Sequence, residues 1–463
     1  VETATGYVDT ITFNLAIAAQ GGGKGAGDKN AAAERAMRLF DLMQKIHHEN
    51  RSSPIKPDTI SFTSMINVLE KSNDPKSTTR VMKLLRRMEE LEKGGSDVVR
   101  LDAVAFRVAL RVLSRFGDAK RAQKVLSWME ELYESGREEL KPDEACYNSV
   151  IWAHTCNALK SSSQKIGMKQ QRNDRGTAAS LAAAEQAQEL LVHMIQRFRQ
   201  GETDILPGRS GFNAVIRAWA DVGGAKGIQK AELLLKLMDE LYQSCTTNFS
   251  ADSATYSVII SALAKSTKDG AAVRAQELLD QMDSKGLVDT IAFNATISAW
   301  AKSKKPDKAE KAHSLLQKMA DLHNTGDSNV TVDIVSYNTV LNACAFTRGG
   351  AEDKKKALLI AEDTFRRIQE SKDLAPQELT YATMMKAYTN LAGNREDKID
   401  MIRPIFAECA ERGLVGNMVL KEIRYSLSED QQKSLFESVT KVGNTNAGRI
   451  PNDWSRNVSR KYQ

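Results

Sequence analysis

The sequence of 463 residues lacks several features that would each define a class of protein. It has no run of about 18 apolar residues, so no segment is predicted to span a membrane. Its five cysteines are odd in number and widely scattered, which argues against a disulfide framework. Aromatic residues make up only 6% of the chain, whereas Ala, Leu, Lys, Glu and Met are plentiful, and this balance favours helix over sheet. The net charge of +6 permits an anionic partner without requiring one.

Motifs for catalysis are missing as well. His47 and Glu49 form an H-x-E match, but zinc deaminases also need a C-x-x-C, which is absent. Lys24 in GGGKGAG is followed by Gly instead of Ser or Thr, so the segment is a poor phosphate loop. His154 falls on an apolar stripe and is interpreted as a packed histidine. We therefore predict that the chain is not an enzyme, with no catalytic residue, metal or cofactor.

The sequence does contain an irregular internal repeat. Nine aromatic residues are followed by apolar residues four and usually seven positions later, as on one face of a helix. They are Phe13, Phe62, Phe106, Tyr147, Phe212, Tyr256, Phe293, Tyr337 and Tyr381. A second helix follows, marked by patterns such as Ala275, Leu278, Leu279 and Met282. One such pair cannot bury its own stripe, so the repeat predicts an all-α solenoid of stacked helical hairpins.

The repeat also predicts the domain organisation. Nine units occupy residues 10–416, with starts near 10, 59, 103, 144, 209, 253, 290, 334 and 378. Residues 1–9 are interpreted as the remnant of a preceding repeat, because GYVD matches GLVD at the end of a later unit. Residues 417–463 are predicted to form a capping helix from Ser428 and a mobile basic tail. Segments 21–30, 160–176 and 323–332 are predicted surface loops.

Segments such as DTIAFNATISAWAKS followed by AEKAHSLLQKM resemble the pentatricopeptide repeat family, and the resemblance covers about residues 9 to 416. It implies a right-handed superhelix, an α-solenoid, that binds single-stranded RNA at about one base per repeat. It also implies a location in mitochondria or plastids and a role in RNA processing, stability or translation. Most units are longer than is typical of the family, and the loops hold the excess.

The resemblance assigns roles to two positions in each repeat. The residue after the aromatic, here called the reading residue, would face the bound base, and the closing residue, just before the next first helix, would assist it. These residues are Asn14, Asp58, Thr63, Asp102, Asn148, Asn213, Asp252, Ser257, Asp289, Asn294, Asp333 and Asn338. Apolar residues three positions before the reading residue would sandwich the bases, namely Ile11, Ile60, Ile291 and Val335.

The family's pairing rules turn these residues into a predicted RNA sequence. Asn with Asp favours uridine, and Thr or Ser with Asp favours guanosine. Arg107 with Asp143 fits no rule, and Asn148 with Gly208 indicates only a pyrimidine. Asn338 with Gln377 is treated in the same way. The predicted target, from 5′ to 3′, is U-G-N-Y-U-G-U-Y.

Two alternatives stay open. An Asp just before a helix is often only an N-cap. However, Asn or a hydroxyl follows the aromatic in seven of nine units and Asp closes six of them, and capping does not explain that Asn. The second alternative is a protein-interaction or structural solenoid subunit of an organellar assembly, with the long loops as docking sites for protein partners. The tetratricopeptide signature W-x-x-L-G-x-x-Y at a period of about 34 residues is missing.

Overall fold

The computed structural model describes residues 8–22, 29–163, 173–202, 204–244, 246–371, 373–392, 395–439 and 452–458, without the side chains of 157–163, 173–177, 395–397 and 452. Over these residues the regular elements are helices and no strand is present. The all-α fold class predicted from the sequence is therefore confirmed. None of the described helices is long and apolar enough to cross a membrane.

Several sequence predictions fall outside the described residues. They concern most of the remnant at 1–9, most of the loop at 21–30, the centre of the loop at 160–176, and Arg449, Arg460 and Lys461 in the tail.

The chain divides into two compact units, and the first comprises residues 1–251. Its described part holds five helix pairs: α1 (Thr10–Gly22), α2 (Lys29–Glu49), α3 (Thr59–Lys71), α4 (Ser77–Lys93), α5 (Ala103–Phe116), α6 (Ala119–Glu134), α7 (Glu144–Ser163), α8 (Asn173–Arg199), α9 (Arg209–Val222) and α10 (Gly224–Gln243). A 3-10 turn at Glu138–Leu140 precedes α7. First helices pack side by side, from α1 through α3, α5 and α7 to α9. Helices α2, α4, α6 and α8 each pack on their own first helix and on the next one.

The second unit comprises residues 252–463. Its helices are α11 (Ser253–Lys265), α12 (Ala271–Ser284), α13 (Thr290–Lys302), α14 (Lys308–Asn324), α15 (Ile334–Ala345), α16 (Ala351–Glu370), α17 (Glu378–Leu391), α18 (Arg395–Glu411), α19 (Asn417–Ser426) and α20 (Glu429–Val439). The stacking follows the same plan, and α19 packs on α17 as a further first helix while α20 packs on α18. Two helices therefore occupy the segment for which the sequence indicates one capping helix.

The aromatic anchors explain why the first helices stack. Each is the fourth residue of its helix, as Phe293 is in α13, and eight of the nine are buried while Tyr337 is half-buried. The second helices contribute a small residue, a leucine pair and a methionine. In α12 these are Ala275, Leu278, Leu279 and Met282, all with no exposed surface. The seam between first and second helices is thus filled by side chains that neither helix could bury alone.

Threonines at the start of first helices bind the linker that follows the same helix pair. Each hydroxyl accepts a hydrogen bond from a linker backbone N–H and lies within hydrogen-bond distance of linker carbonyl oxygens. The pairs are Thr10 with Lys56 (2.8 Å), Thr59 with Arg100 (2.9 Å) and Thr290 with Thr331 (2.8 Å). Each linker reaches its closing Asp two residues later, so the threonine fixes the approach of that Asp to the next helix.

A second repeated contact joins the far ends of neighbouring first helices. Lys302 donates to the carbonyl oxygen of Ala264 at 2.6 Å, and Lys71 donates to that of Gly21 at 2.9 Å. Arg115 makes the equivalent bond to Glu70. These carbonyls lie in the last turn of a helix, where orphan acceptors and the negative end of the helix dipole favour a cation.

Part of the C-terminal segment is held on the last helices. The ring of Trp454 lies edge-on to Phe406 of α18, with centroids 5.4 Å apart, and also faces Phe436 of α20. Arg456 donates to the carbonyl oxygen of Glu411 at 2.9 Å, and Asn457 donates to that of Arg412 at 2.8 Å. Residues 452–458 are thus packed, where the sequence predicted a mobile tail.

Candidate functional site

A row of exposed aliphatic side chains marks one position of the first helices. Ile11, Ile60, Ile291 and Val335 are 65%, 62%, 63% and 55% exposed, although each lies two residues before a buried or half-buried aromatic. Val104 and Leu379 hold the same position and are 48% and 45% exposed, so they extend the row beyond the residues singled out from the sequence. Exposed aliphatic residues that recur at one repeat position mark a candidate binding surface on the first helices.

The closing aspartates are N-caps in the structure. Each carboxylate accepts the backbone N–H three residues later, at 2.8 Å for Asp58, 2.7 Å for Asp102, 2.9 Å for Asp252, 2.7 Å for Asp289 and 2.8 Å for Asp333. Asp9 does the same for α1, and the hydrogen bonds from Thr12 lower the pKa of Asp9. N-capping alone therefore explains why Asp occurs at these positions. A further role for an Asp depends on the other residues that its carboxylate contacts.

Asn14 is joined to the closing residue of its own repeat. Its side-chain nitrogen donates to Asp58 Oδ1 at 3.1 Å, across 44 positions of sequence. The same carboxylate oxygen caps α3 through Ser61. One Asp thus fixes both the start of a helix and the orientation of the preceding reading residue.

The same cross-contact occurs with other side chains. Ser257 lies 3.2 Å from both carboxylate oxygens of Asp289, to which its hydroxyl donates. Arg107, which fitted no pairing rule, forms an ion pair with Asp143 through Nε at 3.1 Å. The reading and closing positions therefore face each other for an amide, a hydroxyl and a guanidinium.

Three predicted pairs are not joined by a hydrogen bond within the described residues, namely Thr63 with Asp102, Asn294 with Asp333, and Asn338 with Gln377. The hydroxyl of Thr63 donates to the carbonyl oxygen of Thr59 at 2.8 Å in its own helix, and not to Asp102. Asn294 likewise makes no hydrogen bond to Asp333. Asn213 follows the buried Phe212 in α9, and Asp252 caps α11 in the second unit.

Four reading residues share an unusual feature. The side-chain oxygens of Asn14, Asn148, Asn294 and Asn338 are buried without a hydrogen-bond partner in the part of the chain that the structure describes. A buried acceptor that lacks a donor costs about 1–3 kcal/mol. Its repetition at one position in four repeats marks these residues as candidates for a binding site.

Asn148 has partners that the sequence analysis missed. Its side-chain nitrogen lies 2.9 Å from Glu144 Oε1 and 2.9 Å from Ser210 Oγ. Glu144 is the first residue of α7, and Ser210 is the second residue of α9. The spacing of four residues between Glu144 and Asn148 on one helix was the available signal.

The remaining polar candidates include the buried side chains of His154 and Cys146. No group of three or more His, Cys, Asp or Glu side chains that could hold a metal ion occurs among the described residues. His154 is buried, as predicted, and burial lowers its pKa. Burial also raises the pKa of the Cys146 thiol to about 12, which makes it a poor nucleophile.

Comparisons with known proteins fit this geometry. Residues 322–391, which include α15 and α17, match the model of the pentatricopeptide repeat domain. The chain is therefore a helical-repeat protein in which residues 322–391 match the pentatricopeptide repeat family that the sequence resembles. No curated protein matches it in sequence.

Solved structures of a pentatricopeptide repeat protein are among the matches to this chain. The pentatricopeptide repeat protein PPR10 from maize matches with 17% identity and a TM-score of 0.44, over 93% of this chain and 53% of that one. PPR10 in complex with an 18-nt psaJ RNA element matches with 16% identity and a TM-score of 0.39, over 94% of this chain and 60% of that one. A triple cysteine-to-serine form of that complex gives the same values. The chain thus spans between half and two thirds of the length of these proteins.

Proposed function

We propose that the chain binds single-stranded RNA and selects its sequence through the reading residues, at about one base per repeat. The observation that carries the proposal is the set of four buried amide oxygens without a donor among the described residues, three of which belong to helices that also carry a side chain of the exposed aliphatic row. The oxygens are covered in the free protein, so contact with a base requires the groups that cover them to move aside. The solved complex of PPR10 with RNA and the family match at residues 322–391 support the same proposal.

The hydrogen-bonding pattern of the bases explains which ones would be selected. An Asn whose nitrogen is held by a carboxylate presents its oxygen, which is an acceptor. Uracil N3 and guanine N1 carry hydrogens on the Watson–Crick edge, whereas cytosine N3 and adenine N1 do not. The pair of Asn14 and Asp58 therefore favours uracil or guanine and disfavours the other two bases.

The length of the reading side chain would separate uracil from guanine. Ser257 gives its hydrogen to Asp289, and Thr63 gives its hydrogen to the carbonyl of Thr59, so both present oxygen lone pairs. A hydroxyl reaches one bond less far than an amide and leaves room for the larger purine. The hydroxyl repeats would then prefer guanosine and the Asn repeats uridine, in agreement with the target U-G-N-Y-U-G-U-Y.

The exposed aliphatic row would supply affinity that is independent of sequence. Bases of single-stranded RNA are splayed out and stacked on protein side chains. Ile11 and Ile60 belong to neighbouring first helices that pack side by side, as do Ile291 and Val335. A base inserted between two such side chains would cover apolar surface that is otherwise exposed to water.

Selection from a randomised RNA pool with the full chain tests the proposal. We expect the retained RNAs to be single-stranded and enriched in U-G-U at the bases assigned to Asn213, Ser257 and Asn294. If the retained RNAs show no enriched motif, the chain is better explained as a structural or protein-interaction solenoid. Organellar location and protein partners at the loops belong to this proposal on the family resemblance, and co-fractionation with mitochondria or plastids would test the location.

A further inference from the structure

The repeat that begins with α7 has no acidic residue at its closing position. The closing residue is Gly208, which holds the N-cap position of α9 and makes no side-chain cap. The corresponding residue in the first repeat is Asp58, which caps α3 and holds Asn14. Because the closing residue is a glycine, it offers no carboxylate that would set the orientation of the Asn148 amide.

The structure places a carboxylate in that space from another part of the chain. A Cβ built on Gly208 would lie 1.9 Å from Oε1 of Glu144 and 2.6 Å from its carboxyl carbon. The Glu144 side chain therefore occupies the volume that an Asp side chain at the closing position would fill. Any residue other than glycine at position 208 would force this carboxylate to move.

The contact made by the carboxylate is also equivalent. Glu144 Oε1 lies 2.9 Å from the side-chain nitrogen of Asn148, compared with 3.1 Å between Asp58 and Asn14. In both repeats the amide oxygen is left buried and without a donor. The carboxylate accepts a hydrogen bond from the side-chain nitrogen of the Asn and would repel the side-chain oxygen. The amide group therefore has one preferred orientation.

We infer that Glu144 replaces the missing closing Asp and that Asn148 consequently selects uridine, instead of accepting either pyrimidine. This inference rests on the proposed RNA binding and adds a specificity-determining residue to it. Ser210 cannot do this alone, because its hydroxyl can donate or accept and would stabilise either orientation of the amide. The target then becomes U-G-N-U-U-G-U-Y.

The decisive variant is Glu144→Ala, which removes the carboxylate and leaves Asn148 in place. Glu144 is exposed, so the fold is expected to survive, and a melting curve checks this. Glu89→Ala is the matched control, because Glu89 also forms a four-residue helical contact, with Lys93, but lies in a second helix. A rescue variant adds Gly208→Asp to Glu144→Ala, and the extended backbone at Gly208 (φ −80°, ψ 174°) accepts an Asp.

The measurement is the affinity of each full-length variant for RNAs that differ only in the fourth base. Wild type and Glu89→Ala should prefer U over C there by roughly 5- to 150-fold, the range expected of a good base-edge contact. Glu144→Ala should reduce that ratio to about threefold or less, and the rescue variant should restore it. Substitution of the first or seventh base, assigned to Asn14 and Asn294, provides the internal reference for all four proteins.

The outcomes separate the inference from the proposed function. If the first and seventh bases are discriminated but the fourth is not, or if Glu144→Ala leaves the fourth-base ratio unchanged, Glu144 has no such role and RNA reading stands. If wild type discriminates at none of the three bases, the proposed function itself is wrong and the inference fails with it.

Discussion

The hydroxyl of Thr290, the first residue of α13, accepts a hydrogen bond of 2.8 Å from the backbone N–H of Thr331, 41 positions later. Thr331 lies two residues before Asp333, the closing residue assigned to Asn294. The same arrangement joins Thr10 to Lys56 and Thr59 to Arg100. A small side chain at the start of a helix thus sets where the next repeat begins and where its closing Asp is placed.

Replacement of Thr290 by Val tests the importance of this bond. Valine keeps the shape of threonine but leaves the N–H of Thr331 without its partner, so we expect a loss of about 0.5–1.5 kcal/mol in unfolding free energy. Thr290→Ser, which retains the hydroxyl, should lose less. Urea unfolding followed by circular dichroism measures both. Equal stability of the Val variant and wild type would mean that water replaces the threonine at no cost.

Leu279 tests the packing of the seam between first and second helices. It is fully buried in α12, and Leu279→Ala removes three carbons from a site whose neighbours belong to rigid helices. The expected cost is roughly 2–5 kcal/mol, from lost burial and the cavity left behind. Leu233→Ala in α10 is the control, because that side chain is 51% exposed and should change stability by less than about 0.5 kcal/mol. Similar melting curves for the two variants would contradict the packing described.

Lys308 predicts a pH dependence of stability. Its side chain is buried at the start of α14, and Nζ donates to the carbonyl oxygen of Ala301 at 3.0 Å. Desolvation lowers the pKa of Lys308 from 10.5 to about 8, with a further contribution from Arg348. Below pH 8 the lysine is protonated in both states. Between about pH 8 and 10.5 the unfolded chain holds a proton that the folded chain has released, so stability rises with pH in that window.

The comparison of wild type with Lys308→Met isolates this effect from the other groups that titrate in alkali. Wild type should gain roughly 3 kcal/mol relative to the variant as the pH rises from about 7 to above 10. Denaturant unfolding at a series of pH values gives the difference directly. A constant difference across that range would show that Lys308 has an ordinary pKa in the folded protein.

The helix pairs were predictable because their signal is local and repeated. An aromatic such as Phe293 and the apolar residues four and seven positions later lie on one helix face whatever the loops contain. The pair formed by α19 and α20 lacks such an aromatic, and Val419 and Ile423 alone give too short a stripe to be recognised. Trp454 was missed for a different reason, since nothing in the surrounding polar sequence indicates that it packs on Phe406.

The sequence predicts which positions form the candidate site, but it does not predict the contacts that their side chains make. The family resemblance indicates that a residue such as Asn148 has a closing partner, and pairing rules then compare it with Gly208. The structure shows instead that the carboxylate comes from Glu144, on the same helix as Asn148. Glu144 can occupy this place because Gly208, more than 60 positions away in the sequence, has no side chain to fill it. The sequence does not reveal that these two residues are neighbours.

Salt dependence tests whether the RNA backbone contributes to binding. A single strand that makes about five phosphate contacts with the protein should give a slope of about −3 to −4 in log K against log salt concentration. Filter binding or fluorescence anisotropy between about 50 and 300 mM salt measures the slope. A duplex of the same sequence is the control and should bind more weakly, because its bases are not available. Affinity that is independent of salt, or equal for the two RNAs, would argue for a different ligand.

Asn294→Thr tests base selection most directly, because one substitution should change the preference at one base. Asn294 has a buried oxygen without a donor, follows the buried Phe293, and lies in a repeat closed by Asp333. Threonine replaces the amide by a shorter hydroxyl, as already found at Thr63, so the seventh base should change from U towards G. A good base-edge contact discriminates by about 1–3 kcal/mol, or roughly 5- to 150-fold in affinity.

Wild type and the Asn294→Thr variant are titrated against two RNAs that differ only in that base. A third RNA, changed at the first base, which is assigned to Asn14, is the control. Threonine is tolerated at a half-exposed helical position, so a melting curve should show an intact fold. If both proteins rank the two RNAs in the same order while the first base is still discriminated, Asn294 does not select a base, and its buried oxygen needs another explanation.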